Sequence, residues 1–299
     1  MEEGLMFEGG VSRVLVTVLV DSATHYEGPI LAENGISFFI EAELNEGKII
    51  RILMDSGITG DALLRNADEL GVDLRTVDII FLSHNHYDHT GGLLKVLKAV
   101  SKRVPVVMHP ETFSQKYAIL PSLGLYKLVY TGPPYTLEQM RDAGGIPLEA
   151  RVPVPLAQGI TTTGEIPRVT DFEVVKGFYI ADGGVLREDK LLDDQALVIK
   201  MDGGDILIFT GCGHSGVINT IMHAKKIANS NRVRAVIGGF HLIDADENRI
   251  MRTVDGLKEA KPDIIAPMHC TGFKAMMKIA QEMPDAFREF YCGDSIEFR

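Results

Sequence analysis

Cysteine is scarce in this chain, and what there is does not pair. Cys212, Cys270 and Cys292 are odd in number and show no CxxC spacing, which argues against a disulfide framework and fits a reducing compartment. Long apolar runs are missing as well. The run "VLVTVLV" falls far short of the about 20 residues needed to span a bilayer, and the opening "MEEGLMFEGG" carries acid where a signal peptide needs base. A cytoplasmic protein without membrane attachment is the expectation. Positive charge is also in short supply. With 30 Lys and Arg against 41 Asp and Glu, the formal net charge is −11, a poor basis for the many phosphate contacts of sequence-independent nucleic-acid binding. No segment reads GxxxxGK[ST], which excludes a phosphate-cradling glycine loop of that type. An anionic substrate remains open if a bound metal supplies positive charge locally.

What is present is apolar and regular. Hydrophobic residues make up 45% of 299, enough for a substantial core without covalent staples. The first part reads as strands: "RVLVTVLVD", "GISFFIEAEL" and "KIIRILMDSG", the last two joined by the turn "NEGK". "GDALLRNADELG" has helical spacing and ends on Gly71. "VDIIFLS" is a wholly apolar strand, suited to a sheet covered on both faces. From about 111 to 170 the periodicity weakens among prolines and glycines, as expected of short strands and loops inserted over one edge. Regularity returns with "ALVIKMDGGDILIFTG" and continues as alternating helices and strands. Strands followed by a strand–helix alternation thus occur twice. The expectation is one domain over residues 1–299, an α/β fold of two half-units packed sheet against sheet, with the irregular insert around 111–170. Loops at the strand ends would carry the chemistry.

One such end is dense with histidine. In "IIFLSHNHYDHTGG" (79–92), His84, His86, Asp88 and His89 fall within six positions, although the whole chain has nine histidines. Imidazole and carboxylate are natural ligands of zinc and similar divalent ions. Residues two apart in an extended turn face the same way, so His84 and His86 can grip one ion while Asp88 and His89 reach a second. Gly91 and Gly92 are expected to allow a tight turn into the next helix. Three more apolar strands end on histidine: "LIFTGCGHSG" with His214, "AVIGGFHLID" with His241 and "DIIAPMHCTG" with His269. Convergence on one site is the expectation for these. His109, in "VVMHP", ends a strand but precedes the irregular stretch, and both a site role and a bland one stay open for it. His25 and His223 read as surface or helix-side residues.

These motifs resemble those of the metallo-β-lactamase superfamily over nearly the whole chain. "ILMDSG" resembles its first motif, which makes Asp55 a carboxylate that orients metal ligands. "SHNHYDHTGG" resembles the second, and "IIAPMHCTG" the last, with His269 a ligand of the second ion. The resemblance implies an αβ/βα four-layer sandwich and two divalent ions, zinc foremost, with manganese, iron and magnesium as alternatives. Two departures stand out. No histidine lies between His109 and His214, where the third family motif places one; the matching stretch "GITTTGEIPRVTDFE" offers Glu165 and Arg168 instead. In "LIFTGCGHSG", Cys212 replaces the usual bridging aspartate, and His214 two residues later is the simplest substitute for the missing histidine. Cys212 can bridge, bind weakly, or line the site as a small buried group.

The set "TGEIPR", "TGCGHSG", "GGFHL" and "PMHCTG" resembles a branch of the superfamily containing synthases of methanopterin biosynthesis. These condense a dihydropterin-methyl diphosphate with an arylamine ribose phosphate and release pyrophosphate. The resemblance implies a small anionic phosphorylated substrate, with Asp55 and Asp88 in catalysis and Glu165, Arg168 and His241 toward the substrate. A binuclear hydrolase of an ester or phosphoester is the alternative activity. A non-enzymatic metal-binding scaffold is the alternative class.

Overall fold

A computed structural model describes residues 9–299; the acidic opening segment, residues 1–8, lies outside them. Side-chain alternation along the strands sorts the chain into layers, because neighbouring residues of a strand face opposite sides of the sheet. Phe38, Ile40 and Ala42 enter one core cluster while Phe39 enters another. Leu207 and Phe209 join the first cluster, and Ile206 and Ile208 a third. The shared cluster lies between two sheets, and the other two lie between each sheet and its own helices.

The first sheet has seven strands in the order Ser295–Phe298, Val11–Val20, Ser37–Leu44, Ile49–Met54, Ile79–Phe81, Val104–Met108, Gly145–Glu149. The second has six: Ile264–Met268, Val233–Gly239, Ile206–Thr210, Ala196–Lys200, Ile160–Thr162, Pro155–Ala157. In each, one end is antiparallel and the other parallel. Helices Asp61–Glu69, Leu93–Val100 and Leu137–Asp142 cover the first sheet, and Val217–Ala228, Glu247–Ala260 and Phe273–Glu282 the second. This is the αβ/βα sandwich expected from the repeated strand–helix order. Among the described residues no helix is long and apolar enough to cross a membrane.

The irregular stretch 111–170 differs from a single insert over one edge. Gly145–Glu149 closes the first sheet, and Pro155–Ala157 with Ile160–Thr162 extends the second. Gln115–Leu120 and Leu125–Tyr130 instead join Phe178–Asp182 and Val185–Glu188 in a third, four-stranded sheet. Its two halves are separated along the chain, so no local pattern announces it.

Gly91 and Gly92 also act differently from expectation. Their φ values, −61° and −77°, are ordinary helical ones. What they provide is closeness: a Cβ would stand 2.2 Å from the Ile58 carbonyl oxygen at position 91 and 2.2 Å from that of Ser56 at 92. The ligand-bearing turn therefore lies directly against the loop that follows Asp55.

Candidate metal centre

Parallel pairing lines up strand ends. Met54 pairs with Phe81, Thr210 with Gly238, and Gly239 with Met268. The residues just past these ends accordingly meet at one place: Asp55 and Ser83 from the first sheet, Cys212, His214, His241 and His269 from the second. Asp55, His241 and His269 adopt positive φ of 58°, 44° and 48°, a strain that non-glycine residues sustain where the surrounding structure imposes it.

Two groups of donor atoms result. In the first, His86 Nδ1 stands 3.0 Å from His84 Nε2 and 3.2 Å from His214 Nε2. In the second, Asp88 Oδ2 stands 3.8 Å from His89 Nε2 and 3.4 Å from His269 Nε2. Cys212 Sγ lies between them, 3.1 Å from His89 Nε2 and 3.6 Å from His269 Nε2, and within 4.8 Å of the ligand atoms of His84 and His214. A tetrahedral ion with metal–nitrogen bonds of about 2.0–2.1 Å keeps its ligand nitrogens roughly 3.4 Å apart. Both groups match that spacing.

The hydrogen-bond network points bare lone pairs inward. Asp55, fully buried, accepts from Ser83 N at 2.7 Å and Ser83 Oγ at 2.6 Å, and its Oδ2 takes the His89 Nδ1 proton at 2.7 Å. Ser83 Oγ, having given its proton to Asp55, accepts from His84 Nδ1 at 2.9 Å. One carboxylate thus sets the tautomer of two imidazoles, leaving Nε2 of each unprotonated. His269 is backed from far along the chain: Ser22 Oγ meets its Nδ1 at 3.0 Å, and its backbone N–H donates to Asp21 at 3.0 Å. His86 lies against the Phe178 ring at 5.1 Å and 21°. The buried His86 Nε2 and His214 Nδ1 have no hydrogen-bond partner.

Electrostatics favour neutral imidazoles at His84, His86 and His214. Burial, reinforced by neighbouring imidazoles, holds His84 and His214 well below the usual histidine range, and burial brings His86 down to about 4. Burial opposes the Asp88 carboxylate, yet His89 and His269 hold it well below the usual carboxylate range. At His269 burial is outweighed by Cys270, Asp88 and Asp21, which raise it to about 9. Neutral nitrogens at His84, His86 and His214, an ionised carboxylate, a thiol, and a His269 imidazole that gives up a proton on binding form a donor set suited to divalent transition metals.

Above the donors lies a cavity of about 520 Å³. His86, Asp88, Cys212, His214, His241 and His269 line its floor, and Leu120, Leu123, Leu125 and Phe178 of the third sheet and its turn line the roof. The roof is tied to the ligand turn. Tyr87 N–H donates to Thr131 O at 2.7 Å, and Asn85 N–H to Asp193 at 2.9 Å. Asp193 in turn pairs with Lys116, which is buried on the roof strand and also paired with Asp189 at 3.0 Å.

Glu165 and Arg168 do not meet this floor. They line a second cavity of about 480 Å³, which shares only His214 with the first. Arg168 donates to Leu191 O at 2.9 Å, and Glu165 is held by Arg151 at 2.6 Å and His109 at 3.1 Å. The place expected for these two, toward the substrate, is thus replaced by a second cavity beyond His214, reached by the segment that follows strand Ile160–Thr162. His109 is occupied by Glu165 and the Glu111 N–H; His25 pairs with Asp294 near the surface, and His223 meets Thr163 O. Sequence reasoning missed Ser83, Asp21, Ser22, Phe178 and Lys116. Of these, Ser83 had a visible signal, its place beside His84 at a strand end.

A family model of the metallo-beta-lactamase superfamily matches residues 17–269. The chain is 35% identical over 298 residues to 7,8-dihydropterin-6-methyl-4-(beta-D-ribofuranosyl)-aminobenzene-5'-phosphate synthase of Methanocaldococcus jannaschii, covering 98% of this chain and 100% of that one. A second, uncharacterized protein of the same organism is 32% identical over 269 residues, 89% of this chain and 94% of its own. Among solved structures, Tm1679, described as a metal-dependent hydrolase of the beta-lactamase superfamily, superimposes with a TM-score of 0.78 at 25% identity. The match covers 95% of this chain and 98% of that one.

Proposed function

The chain belongs to the metallo-beta-lactamase superfamily, and from that premise we propose that it is a metal-dependent synthase joining a dihydropterin-methyl diphosphate to an arylamine ribose phosphate. The observation that carries this reading is the end-to-end identity of 35% with the Methanocaldococcus synthase. The shape of the site supports it. A cavity of about 520 Å³ with an apolar roof of Leu120, Leu123, Leu125 and Phe178 suits a flat heterocycle, and its polar floor suits the anionic end.

Two divalent ions, zinc foremost, would be held by His84, His86 and His214 and by Asp88, His89 and His269, with Cys212 reaching both; bound there, they supply the positive charge that a diphosphate leaving group needs. The protein's own groups do the rest. Asp55 holds His89 directly and His84 through Ser83. His241, on the cavity floor, offers a ring N–H to a phosphate oxygen. In the reaction a carbon–nitrogen bond forms at the pterin methylene, the carbon–oxygen bond to diphosphate breaks, and the arylamine loses a proton. Asp88, kept ionised by His89 and His269 and facing the cavity, is placed to accept a hydrogen bond from the arylamine N–H, whose proton passes to solvent as the bond forms. Three free thiols support a reducing compartment, the cytoplasm, for this reading.

A hydrolase is the second reading, favoured by the similarity to Tm1679. Metal-loaded protein incubated with the pterin diphosphate, with and without the arylamine, separates the two. Pyrophosphate release that requires the arylamine, with a coupled product by mass, is the expected result. No coupled product with zinc, manganese, iron or magnesium overturns the synthase and leaves the hydrolase.

A further inference from the structure

Cys270 has no place in the two donor groups, yet the fold brings it to the same floor. The neighbouring parallel strands of the second sheet end at Thr210, Gly239 and Met268. Cys212, His241 and Cys270 each stand two residues beyond those ends. Gly239 pairs with Met268, so His241 and Cys270 stand level, and Thr210 pairs with Gly238, so Cys212 is displaced by one position; strands about 4.8 Å apart bring the three loops together. The donor atoms of these three residues accordingly lie within 4.8 Å of one another, all buried.

We propose that Cys212, Cys270 and His241 form a separate site of two sulfurs and one nitrogen for a thiophilic ion, such as cadmium or monovalent copper, which competes with the two-ion centre for Cys212. Thiolate and imidazole together select soft ions over magnesium or calcium. His241 is 5% exposed, and its Nδ1 is buried with no hydrogen-bond partner. A buried polar atom of that kind calls for a bound group. The backbone is also bare beside Cys270 Sγ. A Cβ at Gly239 would stand 2.8 Å from Cys270 Sγ and 3.1 Å from Cys212 Cα, so a side chain there would intrude. Cys270 Sγ stands 3.3 Å from Cys212 O, a weak contact that a metal bond replaces. On a tetrahedral ion with metal–sulfur bonds of about 2.3 Å the sulfurs are roughly 3.8 Å apart, so closure asks for movements of at most about 1 Å. Each thiol releases one proton as it binds.

The test is an anaerobic titration of the metal-free, full-length protein with cadmium, read by the ultraviolet sulfur-to-cadmium charge-transfer band. The wild type should show two sulfurs on the tightly bound ion. Cys270→Ser should halve the band, with Cys270→Ala as the second route if the serine variant misfolds. His241→Asn, chosen because asparagine tolerates a left-handed backbone, should keep both sulfurs and weaken binding at least tenfold. His84→Ala, which removes a donor of the two-ion centre alone, should leave the band unchanged. A band indifferent to both Cys270 variants overturns the proposal, as does one halved by Cys292→Ser. Failure of the two-ion centre is read separately, as wild-type zinc stoichiometry below two that His84→Ala does not alter.

Discussion

Replacing Asp55 by asparagine changes one atom of the carboxylate and tests how the ligands are oriented. In the wild type both carboxylate oxygens accept: one from Ser83 N–H, the other from Ser83 Oγ–H and His89 Nδ1–H, at 2.6–2.7 Å. An asparagine that keeps its oxygen on Ser83 N–H turns an NH2 toward His89 Nδ1. Two donors cannot face each other, so His89 shifts its proton to Nε2 and loses the lone pair directed at Asp88 and Cys212. Ser83 Oγ also loses its acceptor and no longer fixes His84. Loss of such an outer partner costs about 10–100-fold in metal affinity, or roughly 1.4–2.7 kcal/mol at about 1.4 kcal/mol per tenfold. Asp55→Asn retains the shape of the buried side chain, whereas Asp55→Ala leaves three buried donors without acceptors and costs about 1–3 kcal/mol of fold stability for each. The assay is calorimetric zinc titration beside a chemical denaturation curve. Asn should weaken at least one zinc ion by the stated factor with a midpoint close to wild type. Ala should lose affinity and stability together. Wild-type zinc affinity in Asp55→Asn would refute the orienting role.

Two further perturbations follow from the site and its roof. Folded, metal-free protein keeps His86 neutral down to about 4, while an unfolded histidine protonates near 6.5. Between these values the unfolded chain holds more protons, so stability falls as pH drops from about 6.5 to 4, by roughly 3 kcal/mol from His86 alone at the limit. His269, raised to about 9, works the other way: its contribution is complete below about 6.5 and is lost as pH rises toward 9. Urea denaturation of the metal-free protein should therefore give greatest stability near neutral pH, and a flat profile between pH 6.5 and 4.5 contradicts the assignment. Lys116→Met removes the cation buried between Asp193 and Asp189 and should cost about 3–5 kcal/mol in denaturant unfolding. A loss below about 1 kcal/mol would show that the pair does not anchor the roof.

Much of the centre was legible because its ligands are local or sit at recognisable strand ends. His84, His86, Asp88 and His89 share six positions, and each of His214, His241 and His269 follows an apolar strand. Parallel register then does the assembling. What stayed hidden depends on long-range pairing. Asp21 supports His269 across 248 positions, and nothing near either residue signals the other. The third sheet joins chain segments on both sides of the strands Pro155–Ala157 and Ile160–Thr162, so its role above the site follows from packing alone. Glu165 and Arg168 lie in the stretch where the family motif would supply a ligand. The strand Ile160–Thr162 before them leads them into the second cavity beyond His214, where Arg151 and Leu191 O engage them. Gly91 and Gly92 were recognisable as glycines with a purpose, but the purpose is contact with the 56–58 loop rather than an unusual dihedral angle.

The roof and the floor of the cavity come from different parts of the chain. The donors belong to the ends of the two great sheets, whose register fixes them together. The roof residues Leu120, Leu125 and Phe178, with Leu123 in the turn between two strands, belong to a small sheet bonded chiefly to itself. So long as Lys116, Asp193 and Thr131 keep the canopy moored to the turn beneath it, substitutions at the three leucines change the size and shape offered to a substrate without touching a ligand ring, whereas Phe178 also packs against His86 and His214. Selection, natural or in a library, therefore has separate dials for what is admitted and for how it is transformed.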